Sequence, residues 1–224
     1  METLPVYLNV LFIGTTLLTV WLLYKATNNS GLTLILLLTW LALQALIAST
    51  GFYTISNTLP PRFVLMVLPP LLLIIFLFST KKGRTYIDGL DPAILTFLHV
   101  VRVPVELCLL LLFMFGAVPQ LMTFEGRNFD IISGVTAPII FYLGYRKQKL
   151  SKGILLIWNF ACLALLFNIV IHAVLSAPFA FQQLAFDQPN VAVLYFPFNW
   201  LPSCIVPVVL FSHLVCIRRL LKTS

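Results

Sequence analysis

Three polar side chains lie in the otherwise apolar stretch 98–107, and their types and spacing could support chemistry. They are His99, Arg102 and Glu106. Spacings of three, four and seven residues place them on one face of a helix, where Arg102 and Glu106 are close enough to pair. Pro104 lies between these two and removes one backbone hydrogen bond, which predicts a kink. The stretch predicts a charged lining for a substrate or a proton route. The alternative is an ion pair that only fixes this helix to its neighbours.

A second polar group is expected in the segment 119–130, which precedes a later hydrophobic run. Its members are Glu125, Arg127, Asn128 and Asp130. Either Asn128 or Asp130 could cap the following helix, and a carboxylate there suits the helix dipole. We predict that this segment forms the mouth of a cavity whose floor is Arg102 and Glu106. Helix capping and a solvated turn are the alternative explanation.

The stretch 176–199 mixes aromatic residues with amides and one carboxylate, and it is too apolar for a free loop. It is predicted to lie along a membrane interface or to fold back over the helices as a lid. Three of its polar side chains face either the site or water, and they complete the predicted substrate-binding set. They are Gln182, Gln183 and Asp187.

The three histidines are candidate metal ligands by residue type. His99 and His213 fall at similar depths in their helices and could meet, whereas His172 falls near the opposite end of its helix. Two imidazoles without a third ligand make a poor zinc site, and the sequence has no HExxH spacing. His99 and His213 are therefore only weak metal candidates, and no metal or cofactor is expected.

Composition places these residues in a membrane protein. The chain has 224 residues, of which 60% are hydrophobic and 9% charged, and its mean hydropathy is +1.02. That is more apolar surface than one soluble core could bury. The net charge of +7 comes from residues between hydrophobic runs, which is typical of membrane topology and not of nucleic-acid binding. The expected partners are membrane lipids and a small-molecule ligand, with no nucleic acid.

Hydrophobic runs predict an all-α, polytopic protein with seven transmembrane helices in a single domain, 1–224. The fifth run is short and is interrupted by Gly134 and Pro138. Each run is long enough for a hydrocarbon core of ~30 Å once tilt is allowed. The predicted spans are 5–24, 32–52, 63–79, 92–115, 128–145, 154–175 and 200–217.

The distribution of basic residues predicts the orientation. Of the 14 Lys and Arg residues, 11 fall in the alternate connections on one side, Arg62 and Arg127 fall on the other, and Arg102 is inside a span. The positive-inside rule then places the N-terminus outside and the C-terminus in the cytoplasm, in a plasma membrane or a bacterial inner membrane.

A faint internal repeat is present. A leucine-rich run that ends at Trp40 is echoed by one that ends at Trp158, and each follows an aromatic and basic pair. The spacings differ, so coincidence is the alternative. A true repeat would give two parallel halves, 1–80 and 128–224, joined by the span 92–115. That arrangement is similar to the SWEET and PQ-loop transporters, but in topology alone, because the Pro119-Gln120 dipeptide does not lie in the first helix of a half.

Together these features predict that the protein binds and transports a small polar or anionic solute. Arg102 would contact the anion, and Glu106 would be its partner or a proton carrier. One alternative is a membrane-embedded enzyme on a lipid-like substrate, with Glu106 acting with Glu125 or Asp130, or His99 with His213. The other is a structural or receptor-like bundle. The sequence does not indicate an oligomeric state.

Overall fold

A computed structural model describes residues 4–58 and 60–222, and this part of the chain is helical without a strand. Short 3₁₀ or π segments extend or interrupt several helices. The helices are α1 (Val6–Ala26), α2 (Gly31–Ser49), α3 (Val64–Ser79), α4 (Lys81–Asp88), α5 (Pro92–Leu98), α6 (Arg102–Met114), α7 (Ile131–Ile140), α8 (Lys152–Leu175) and α9 (Val206–Lys222).

Several of these helices are long and apolar enough to cross a membrane, as a multi-pass membrane protein requires. There are five in the described residues, and six if α3 and α4, which meet at a bend of 93°, count as one. A further apolar helix, Ile131–Arg146, is shorter. The five are Val6–Ala26, Gly31–Ser49, Pro92–Met114, Lys152–Leu175 and Leu201–Lys222.

The polar triplet lies in a central helix that is locally rewound. Asp91 caps α5 by accepting from the amide of Ala93 at 2.8 Å, with Pro92 at the first helical position. A 3₁₀ turn, His99–Val101, then joins α5 to α6. The interruption predicted from Pro104 is therefore present, one turn before the proline, where the missing amide would have been paired. The helix is central because it packs on α1, α7 and α9.

One end of the bundle is fixed by contacts between its connections. The amide of Asp91 donates to the carbonyl of Ala26 at 2.9 Å. Asp88 accepts from Arg218 at 3.0 Å and from Lys222 at 2.6 Å. The end of α1, the α4 region and the end of α9 therefore meet at the same end of the molecule.

Helix α4 is an element that the hydrophobic pattern did not predict, because its residues are mainly polar. Thr80 caps it by accepting from the amide of Gly83 at 3.1 Å. A Cβ on Gly83 would lie 2.3 Å from the carbonyl oxygen of Leu77, so glycine permits the sharp bend from α3.

The aromatic segment 176–199 folds back over the opposite end of the bundle, as one of its two predicted placements required. The side chain of Asn199 donates to the carbonyl of Gln44 at 3.0 Å. Gln188 donates to the carbonyls of Phe113 and Val118 at 3.0 and 2.6 Å. These bonds tie the segment to α2 and to the end of α6.

Candidate functional site

Arg102 is buried at the centre of the site, with 2% of its surface exposed. Its Nη1 donates to Asp130 Oδ1 at 2.7 Å and to the carbonyl of Cys162 at 3.3 Å. Its Nη2 lies 3.1 Å from His213 Nε2. The pairing of Arg102 with Glu106 expected from helix spacing is therefore wrong, since the ion pair of Arg102 is made with Asp130.

Close approach of two helices explains this partner. Asp130 directly precedes α7, and Gly134 lies one turn into that helix. A Cβ on Gly134 would lie 2.8 Å from Val103 Cγ2 and 3.2 Å from Arg102 Cβ. Only a residue without a side chain lets α7 pack this closely on the start of α6, and the packing delivers Asp130 to Arg102.

Asn128 joins the two acidic side chains. Its Nδ2 donates to Glu106 Oε1 and to the carbonyl of Met122, and its Oδ1 accepts from the amide of Asp130. Glu106 is buried with 2% exposed. Its second oxygen, Oε2, has no hydrogen-bond partner among the described residues. A buried acceptor without a protein partner is a position where a donor group of a ligand could bind.

His213 is held in one tautomer by its two neighbours. Its Nδ1 lies 2.9 Å from Asn159 Oδ1, which can only accept, so Nδ1 carries the proton. Its Nε2 is then free to accept from Arg102. His213 therefore acts as a neutral acceptor that helps to orient the guanidinium.

His99 stacks on His213, with ring centroids 3.8 Å apart and planes inclined by 17°. Neither ring nitrogen of His99 has a hydrogen-bond partner in the described part of the chain. Stacked rings hold their nitrogens in near-parallel planes and do not converge on one point. No group of three His, Cys, Asp or Glu residues suited to a metal ion occurs within residues 4–58 and 60–222.

A cavity of about 250 Å³ adjoins the ion pair. Arg102, Glu106 and Asp130 form part of its wall, and Asn190 contributes a further polar group. The remaining wall is almost entirely hydrocarbon and aromatic, from α3, α6, α8, α9 and the aromatic segment. The residues that carry the buried charges thus border a cavity.

The structure brings together four of the predicted binding residues, namely Arg102, Glu106, Asn128 and Asp130, with His99 adjacent through His213. The other five do not line the cavity. Glu125, Arg127, Gln183 and Asp187 are exposed. Gln182 donates to the carbonyls of Leu184 and Ala185 within its own loop.

Sequence reasoning missed three contributors. Asn159 positions His213, the carbonyl of Cys162 accepts from Arg102, and Asn190 lies in the cavity wall. Asn159 gave a usable signal, because it is one of only two amide side chains, with Asn168, within a long apolar run. The carbonyl of Cys162 gave none, since every residue has one.

Comparisons with known proteins identify a family without assigning a function. No curated protein and no solved structure matches the chain. Residues 60–221 match the family described as Domain of unknown function (DUF8737). That region includes every member of the buried polar cluster, from His99 to His213, and the chain belongs to this family.

Proposed function

We propose that this is a seven-pass membrane protein, with its N-terminus outside and its C-terminus in the cytoplasm, that binds and moves a small solute through the cavity. This count takes the five helices of spanning length and adds α3 and the shorter helix Ile131–Arg146. The shorter helix is about 24 Å long at 1.5 Å per residue. The irregular backbone before it is tolerable at membrane depth because Asn128 and Asp130 are buried in protein. In this topology the halves 1–80 and 128–224 flank the span 92–115 in parallel.

Cysteine labelling tests the orientation, because the four native cysteines are buried. We expect a membrane-impermeant maleimide to label Asp187→Cys on intact cells and Lys149→Cys only after permeabilisation. Both positions are exposed. The opposite pattern would reverse the proposed orientation.

The observation that supports a solute site is the buried, unpartnered Oε2 of Glu106, a residue that lines the cavity. Arg102 and Asp130 neutralise one another at 2.7 Å. An ionised Glu106 would therefore be left without a counter-charge in a low-dielectric interior, which is costly. A proton or a cationic group of the solute would remove that cost. Glu106 is thus the exchangeable group of the cavity.

This assignment differs from the anion site expected at Arg102. Both terminal nitrogens of Arg102 already donate to Asp130, to Cys162 or towards His213. A guanidinium whose charge is cancelled by a buried carboxylate attracts an anion weakly. We therefore assign the solute contact to Glu106 and not to Arg102. Arg102 instead positions Asp130 and α7.

The alternatives have less support. For an enzyme, Glu106 would need a free second carboxylate, but Glu125 is exposed and Asp130 is bound by Arg102. The pair His99 and His213 is stacked, and His213 is engaged on both nitrogens. A purely structural bundle would not require a cavity beside its buried charges.

Uptake by reconstituted vesicles tests the transport proposal. A panel of radiolabelled amino acids, organic cations and carboxylates is offered to proteoliposomes with and without a pH gradient. We expect Glu106→Gln to abolish uptake and the exposed control Glu125→Gln to preserve it. Gln can still accept from Asn128, so the fold is retained. Equal uptake by wild type and Glu106→Gln, or none above empty vesicles, would refute transport through this site.

A further inference from the structure

The cavity wall is unsuited to water or to a fully polar solute. A buried water needs two to four polar partners, and this cavity of about 250 Å³ offers few. The polar residues of the wall are few, namely Arg102, Glu106, Asp130 and Asn190. Three of them carry an unpartnered polar atom in the described structure: Arg102 Nε, Glu106 Oε2 and Asn190 Oδ1. Hydrocarbon from residues such as Met66, Leu166 and Val209 forms most of the remainder. Such a space favours an apolar occupant.

Building on the proposed function, we propose that the cavity binds a single-chain amphiphilic amine, with its ammonium group at Glu106 and its hydrocarbon chain between α3 and α8. An ammonium group has three donors and no acceptor, which matches a buried carboxylate oxygen that lacks a donor. The hydrocarbon chain would bury apolar surface against the wall, with a gain of about 25 cal/mol per Å².

Charge selects the amine over other single-chain amphiphiles. Arg102 and Asp130 sum to zero, so an ionised Glu106 gives the cluster one net negative charge. A carboxylate headgroup would be repelled by that charge, and an alcohol would leave it unneutralised. An ammonium group brings the cluster to neutrality and adds a charge-assisted hydrogen bond.

Access to the cavity is lateral. Phe167 and Val174 of α8 belong to the wall and are also exposed on the bundle, by 49% and 37%. At the end of the cavity next to the aromatic segment, the rings of Phe63 and Phe179 pack together with centroids 4.9 Å apart and form part of the wall. An amphiphile dissolved in the bilayer could therefore enter beside α8, with no need to pass through the aromatic segment.

Equilibrium binding of tritiated dodecylamine to protein in zwitterionic lipid nanodiscs tests this proposal. Its amine is protonated at neutral pH, as a lysine side chain is. Dodecanol and dodecanoate serve as unlabelled competitors of equal chain length, and empty nanodiscs give the lipid background. Glu106→Gln removes the charge, Val170→Phe fills the cavity, and Ile171→Phe adds the same ring on the exposed side of α8 as a matched control.

Saturable binding of tritiated dodecylamine is expected in wild type and in Ile171→Phe. Unlabelled dodecylamine should displace it at a concentration at least about tenfold lower than dodecanol or dodecanoate requires. Glu106→Gln and Val170→Phe should each weaken binding at least about tenfold, the size of a lost charge-assisted hydrogen bond. Binding that is absent, equal for the three headgroups or unchanged in Glu106→Gln would overturn the proposal. Solute uptake that still depends on Glu106 would then leave the transport function standing with another ligand class.

Discussion

The guanidinium of Arg102 donates to the carboxylate of Asp130 at 2.7 Å, although 28 residues separate them in the chain. Their side chains are 3% and 8% exposed. A buried pair of this kind contributes little net stability relative to an apolar pair, but removing one partner leaves an uncompensated charge. The pair therefore fixes the position of α7 against α6 and leaves Glu106 outside the ion pair.

Asp130→Asn should cost about 3 to 5 kcal/mol of unfolding free energy, because Arg102 would remain buried without its counter-charge. Unfolding by dodecyl sulfate in mixed micelles measures this. The control Glu125→Gln changes an exposed carboxylate in the same segment and should stay within about 0.5 kcal/mol. Equal stability of both variants would show that the ion pair does not hold the two helices.

The two stacked histidines should respond differently to replacement by phenylalanine. His213→Phe leaves Nη2 of Arg102 without its acceptor and Oδ1 of Asn159 without its donor, and each unsatisfied buried group costs about 1 to 3 kcal/mol. His99→Phe removes nitrogens that bind nothing in the described residues and keeps a ring in the stack, so it should cost less than about 1 kcal/mol. The same micellar unfolding assay compares them, and the reverse order would contradict the assigned tautomer.

Gly134→Ala should destabilise the protein by about 1 to 3 kcal/mol, because its Cβ would lie 2.8 Å from Val103 Cγ2 and 2.9 Å from Val103 N. Gly14→Ala is the matched control in α1, where nothing lies within 4 Å of the added carbon. It should stabilise by about 0.5 to 1 kcal/mol through helix propensity. A neutral Gly134→Ala would mean that α7 does not need its close approach to α6.

Acid should weaken the end of the bundle through Asp88. Hydrogen bonds from Arg218 and then Lys222 lower the pKa of Asp88 from 3.8 to about 2. Because the folded pKa is lowered, this contribution to stability is complete above pH 3.8 and is lost as the pH falls through 2. In detergent, the thermal unfolding temperature of the wild type should exceed that of Asp88→Asn near pH 5, and the two temperatures should converge near pH 2. A constant difference across that range would remove Asp88 as the cause.

Much of the helical pattern was predictable, because apolar runs and Pro104 are local features. The predicted runs 154–175 and 63–79 agree with α8 and α3 to within two residues. Helix α4 was missed since capping by Thr80, and not hydrophobicity, forms it. The segment 176–199 was expected, from its aromatic content, to lie along the interface or over the helices. Phe179 and Phe198 are buried, whereas Phe186 is exposed.

The sequence predicted some of the residues of the site, but not which of them pair with one another. Burial cost identifies Arg102 and Glu106 from sequence, but their partners depend on tertiary packing. Spacing along one helix favoured an ion pair between Arg102 and Glu106. The close helix packing at Gly134 instead brings Asp130 within ion-pair distance of Arg102. The segment 119–130 was expected to form the mouth of a cavity with all four of its polar residues. Asn128 and Asp130 are buried, whereas Glu125 and Arg127 are exposed.

The most direct test of the central claim follows the carboxyl group of Glu106 by infrared difference spectroscopy. Dodecylamine is added to protein in nanodiscs, and the C=O stretch of protonated carboxyl groups is recorded for wild type, Glu106→Gln and the control Glu125→Gln. Exchange of a proton for a cation at Glu106 predicts loss of one protonated carboxyl band in wild type and in Glu125→Gln, with no such loss in Glu106→Gln. Loss of the same band in Glu106→Gln, or no loss in wild type, would contradict the assignment of Glu106 as the group that exchanges a proton for the cation.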